Sequence, residues 1–204
     1  MPPAPTQVLS SADIFNEALA VVPIVHTPVE PNQRILVVGA SALAAAVMAL
    51  RYPTFVEVGI VAPPSDVPIG LRQDKRIRVY ATLADVPRGW IASLIVVAVP
   101  NLLEEQVAVV KTHATPASVV CFALDRVAVG RQTKELLRRY WPSVAPYREH
   151  LPTSGAVLFM LAGSGRLERQ RPVPGWTRRI SDRYIPAMFT FAKDEYAALF
   201  GGVA

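Results

Sequence analysis

Six arginines, Arg166, Arg169, Arg171, Arg178, Arg179 and Arg183, fall within eighteen residues, with Pro172 and Pro174 between them. Guanidinium groups are too costly to bury unpaired, so this segment must be solvated or paired with carboxylates or phosphates across an interface. Arginine outnumbers lysine heavily, lysine occurring only at positions 75, 111, 134 and 193. That bias suits planar, bidentate contacts better than flexible solubilisation, and it marks the six as interface candidates. Glu168 and Asp182 are the acids near enough to solvate the loop instead. Other reactive types are scattered. His26, His113 and His150 lack ligand spacing, and Cys121 lies in the apolar run 117–124, where a small core side chain is expected. Ser41 stands in Gly-Ala-Ser-Ala-Leu, not in the Gly-x-Ser-x-Gly of a hydrolase elbow, and reads as a helix cap. Glu104 and Glu105 read as acids solvating a helix start, and Tyr80, Trp90, Trp141 and Trp176 share no spacing and read as core or rim.

The elements that must position these groups alternate. Buried strands are expected over 35–38, 56–61, 77–80, 94–99 and 118–124, with helices over 41–51, 102–113 and 129–141. A short run at 143–147 and the apolar run 156–161 would close the sheet as a hairpin. Val- and Ile-rich runs joined by helices imply a doubly wound, mostly parallel sheet buried on both faces. Before it, residues 1–33 read as an N-terminal extension: a short amphipathic helix over 12–22 capped by Ser10 or Ser11, then a proline-rich arm around 27–32. The α/β domain spans 34–162. Residues 163–204, the arginine-rich loop and a terminal helix over about 187–200, complete it.

The composition supports a packed domain. The chain has 204 residues, 51% hydrophobic and 18% charged, with a net charge of +5. Disorder needs few apolar residues and much charge. One cysteine excludes an internal disulfide and a cysteine-based metal cluster. The uncharged stretch 35–50 is too short to span a bilayer and breaks at Gly39 and Ser41, so no membrane span is expected. The start lacks the basic and apolar regions of a secretory signal. A cytoplasmic location, or incorporation in a virion or other large particle, is the expectation.

Val37-Val-Gly-Ala-Ser-Ala-Leu43 stands where a nucleotide-binding fold turns from its first strand into its first helix. Together with 50–61, the stretches 136–147 and 151–162, and Trp176-Thr-Arg followed by 187–191, it resembles the spermidine synthase (polyamine aminopropyltransferase) family, within the S-adenosylmethionine-dependent methyltransferase folds. The likeness runs over about 33–200 and implies a seven-stranded Rossmann-like sheet with a C-terminal hairpin. The family's N-terminal β domain has no counterpart. Its functional positions are altered throughout. The glycine-rich turn reads Gly39-Ala-Ser41; the ribose-binding acid after the second strand is Ala62; the adenine-facing acid falls at Leu83, with Asp85 nearest. The catalytic base after the fourth strand is Ala98, and the tail histidine falls near Ile185. No catalytic residue, cofactor or metal is expected.

These losses lead to a non-catalytic protein with a structural or assembly role in a larger complex, such as a virus particle, whose partners are other protein subunits, homo- or hetero-oligomeric. Two readings compete with it. One is an active adenosyl or polyamine transferase with acids relocated to Asp66 or Asp85. The other, less favoured, is a nucleic-acid-binding module using the arginine segment.

Overall fold

The computed structural model describes residues 9–124, 130–153 and 155–200. Seven strands form one sheet: β1 (Gln33–Val38), β2 (Phe55–Val61), β3 (Ile77–Tyr80), β4 (Ala92–Val97), β5 (Ala114–Leu124), β6 (Ser143–Leu151) and β7 (Gly155–Gly163). Their order is β3-β2-β1-β4-β5-β7-β6, and only β7 runs antiparallel to its neighbours. β1 lies parallel to β2 and β4, with Val37 opposite Ile60 and Val96. This is the mixed, Rossmann-like sheet the strand pattern predicts. The hairpin is longer than expected, because β6 continues to Leu151 with alternate residues buried.

The helices are α1 (Ser11–His26), α2 (Leu43–Ala49), α3 (Ile69–Arg72), α4 (Glu104–Thr112), α5 (Gly130–Arg138), α6 (Ile185–Met188) and α7 (Lys193–Phe200). The start expected for α5 at Val129 lies outside the described residues, as do the first eight residues of the expected extension. The terminal helix is two helices, because the turn after Met188 breaks it before α7.

The even-numbered side of β2 and the odd-numbered side of β1 face one core with α1 and α2, containing Ile35, Val37, Val58, Ile60 and Tyr147. The opposite side packs Leu36, Ile95, Val120, Phe122 and Trp141 against α4, α5 and α7. That second side is incomplete. The link from β3 to β4 carries only a 3₁₀ turn, Leu83–Asp85, and no helix. Trp90 and Leu36 cover Gly59 there, the Trp90 ring carbons 3.1–3.3 Å from where a β-carbon would stand and a Leu36 methyl 3.0 Å. Over β2 and β3 this side carries Arg34, Glu57 and Arg78 across the strands in place of a helix.

α1 is no short amphipathic helix on an arm. It runs four residues beyond Val22, through Pro23, and from Glu17 to His26 every residue is buried. Ser10 caps it reciprocally with Asp13. Leu19, Val21, Val22, Ile24 and Val25 are fully buried, each stabilising the fold by about 1.5–3 kcal/mol. A helix apolar all round must be covered on every side. The sheet covers one side, and the chain after β7 covers the outer one. Gln170 and Arg171 donate their backbone N–H groups to the Val25 carbonyl, one of the acceptors a helix end leaves free.

Candidate functional site at the carboxyl ends of the strands

In open α/β sheets, ligands bind outside the carboxyl ends of the strands where the strand order reverses. Here that point lies between β1 and β4. Gly39, which follows β1, has φ 95°, a conformation that glycine alone adopts readily. Its α-carbon presses against the end of β4, so that an added β-carbon would stand 2.1 Å from the Ala98 carbonyl oxygen. The Gly39 amide donates to the Val61 carbonyl, and the Ala98 amide to that of Val38. The glycine thus serves the chain's own close approach.

Beside this contact lies an open cleft of about 540 Å³, walled by Val38, Val61, Ala62, Pro63, Leu83 and Val99 among others. Only Thr82, Glu105 and Gln106 bring polar side chains to its lining. The structure places Gly39, Ala62 and Leu83 on the cleft wall, with Ala98 buried behind Gly39. Ser41 is exposed inside the 3₁₀ turn Ala40–Ala42 and caps nothing: the residue before α2 is Ala42, with no side-chain cap. The cap expected at Ser41 is absent because that turn intervenes. Asp85 is turned to its own backbone, accepting from the Thr82 amide and hydroxyl at 2.9 and 2.8 Å. Asp66 is exposed and accepts from Ser65. Neither lines the cleft. The carboxylate that does is Glu105, in the first turn of α4, which periodicity alone assigns to solvent.

Part of the arginine segment is used within the chain. Arg171 is half-buried over the rings of Tyr52 and Phe55, and its guanidinium donates to Thr54 Oγ1, the Thr27 and Pro28 carbonyls and Gln33 Oε1. Burial lowers its pKa and pushes that of Tyr52 up to about 12. Arg169 pairs with Asp182 at 2.8 Å, and Arg179 donates to Tyr184 Oη and Glu149 Oε1. The backbone N–H groups of Arg178, Arg179 and Ile180 all point at the Glu17 carboxylate, 2.8–3.0 Å away. Arg166, at Glu168, is almost wholly exposed, and Arg183 is exposed. Two buried acids, Glu17 and Glu149, thus organise the segment. The signal for Glu17 was present, one acid directly abutting the apolar run 18–25.

The remaining reactive groups belong to the core. The Cys121 thiol lies 3.2 Å from Tyr147 Oη, and burial pushes it up to about 12. His26 and His113 are buried on the carbonyls of Val22 and Trp90, while His150 is exposed on β6. No helix among the described residues is long and apolar enough to cross a membrane.

No protein-family model matches the chain, and no curated protein matches it by sequence. Solved structures do match. Spermidine synthase from Thermotoga maritima superposes with a TM-score of 0.77 at 13% identity, over 92% of this chain and 74% of that one. A precorrin-6Y C5,15-methyltransferase from Geobacter metallireducens superposes with a TM-score of 0.56 at 13% identity, over 73% of this chain and 88% of that one. The fold is that of spermidine synthase and the methyltransferases.

Proposed function

We propose that this chain is a non-catalytic protein on a spermidine-synthase-like fold, with a structural or assembly role in a larger complex such as a virus particle. The observation that carries the reading is the pair Gly39 and Ala98 in direct contact, with Ala62 and Leu83 on the adjoining wall. An adenosyl ligand needs an acceptor for its ribose hydroxyls, and losing a charge-assisted pair of that kind costs about 1.5–3 kcal/mol. An amine nucleophile without its base loses about 10²–10⁴ in rate. Side chains such as Ile69 and Leu103, 64% and 50% exposed, offer apolar surface for subunits of the same or another chain.

The competing transferase reading needs Asp66 or Asp85 in the cleft, and both face elsewhere. The test is turnover. The protein should transfer neither an aminopropyl group to putrescine or spermidine nor a methyl group to any acceptor. Ala98→Asp alone should not change that. Turnover by the unmodified chain refutes the proposal, and a strictly monomeric native protein without co-purifying partners refutes its assembly part.

A further inference from the structure

The bare side of the sheet over β2 and β3 carries the cations that the arginine segment does not supply. Arg34 and Arg78 stand on β1 and β3 with Glu57 between them, Arg72, Lys75 and Arg76 lie just before β3 beside Asp74, and Arg88 lies in the link from β3 to β4. The whole chain has a net charge of only +5. Glu57 bridges Arg34 at 2.9 Å and Arg78 at 3.8 Å, which fixes a row of three charged groups across β1, β2 and β3. Asp74 holds Arg76 at 2.9 Å, and Arg76 also donates to the Leu50 carbonyl. Arg72, Lys75 and Arg88 are exposed and have no partner among the described residues. Among the described residues the link from β3 to β4 holds a 3₁₀ turn and no α-helix.

We infer that this corner of the sheet is a binding surface for the phosphate backbone of double-stranded nucleic acid. Five of the six cations are arginines, whose forked donors match phosphate oxygens two at a time. The surface offers no stacking platform, since Trp90 is buried under Arg34 and Tyr80 is half-buried. Single strands are gripped by stacking bases on exposed aromatic rings, so a duplex fits better. A duplex also presents closely and regularly spaced negative charge, roughly one per 1.7 Å of axis, to cations fixed on a rigid sheet. Binding of this kind reads charge and shape but not sequence. It is independent of the proposed loss of catalysis, because none of the six cations lines the cleft.

The test is titration of a 20-base-pair duplex by anisotropy across a NaCl series. With about four phosphates neutralised, the log–log salt slope should be near −4, a loss of about 10²-fold between 50 and 200 mM. Arg72→Gln, Lys75→Gln and Arg88→Gln together should weaken binding at least tenfold and flatten the slope to about −1. The three are exposed, so the melting temperature should hold. Arg138→Gln, Arg166→Gln and Arg183→Gln remove the same charge from elements at the other end of the sheet, and they should leave the affinity within about twofold. No binding at 50 mM NaCl, or equal loss in both triple variants, overturns the assignment. Equal competition by poly-glutamate would make the partner an acidic polypeptide and overturn it too.

Discussion

The carboxyl end of the sheet and the seam around α1 treat charge in opposite ways. At the cleft, Ala62 and Ala98 follow β2 and β4, Asp66 and Asp85 turn to neighbouring residues, and the one carboxylate on the wall, Glu105, is exposed. Along the seam, two carboxylates are taken out of water. Glu17 gathers three consecutive backbone N–H groups, and Glu149 accepts from Tyr184, Arg179 and the His150 amide. Burying a carboxylate is favourable only when hydrogen bonds replace its water. The seam meets that condition in large part, whereas the cleft holds no buried carboxylate that would need it. The difference teaches where this molecule has invested precise polar geometry: in joining its two ends, not in holding a small ligand.

Glu17→Ala gives the largest expected effect. It leaves one buried and two part-buried N–H donors without their acceptor and should destabilise the fold by about 2–4 kcal/mol, read from urea unfolding. The glycine at the head of the cleft comes next. Gly39→Ala adds a β-carbon against the Ala98 carbonyl at positive φ and should cost about 2–4 kcal/mol. A silent Gly39→Ala would mean that the approach of β1 to β4 is loose, and the comparison would weaken. Arg171→Lys keeps the charge but loses the fork that reaches four acceptors, and should cost about 1–3 kcal/mol, with faster proteolysis after β7. A variant as stable and resistant as the parent would show that the segment is solvated rather than docked.

The smallest effect is that of pH. Burial in the last turn of α1 lowers the pKa of His26 below its ordinary value near 6.5. The unfolded chain therefore takes up its proton at a higher pH than the folded one. The stability tied to a neutral His26 is complete above about pH 6.5 and declines as the pH falls below it. His26→Gln should flatten the urea midpoint between pH 7.5 and 5.5 relative to the parent, and an unchanged slope would contradict the burial.

Much of the sheet was legible because its central stretches are buried on both faces and read as unbroken apolar runs, such as Ile35 to Val38 and Val58 to Val61. The turn at Gly39 was legible for the same reason. What periodicity could not convey was coverage. Ala12 to Val22 looks amphipathic only if the helix stops at Pro23, yet the helix continues to His26 because the segment after β7 shields its outer side. The missing helix between β3 and β4 leaves Trp90 to do its packing, and one tryptophan has no period. Arg171 could not be told from the other five arginines, since its acceptors, the carbonyls of Thr27 and Pro28 and the side chain of Gln33, lie about 140 residues away in the chain. Glu105 is exposed in the first turn of α4, as its polar helix start implies, and only the fold shows that it also borders the cleft.

Calorimetric titration of the protein with S-adenosylmethionine and with its decarboxylated form tests the central claim most directly. The walls at Ala62 and Leu83, and the closed approach of Gly39 to Ala98, predict no saturable heat up to millimolar ligand. Binding of either compound with micromolar affinity would contradict the account, and would mean that Glu105 or another group in the cleft replaces the missing acids.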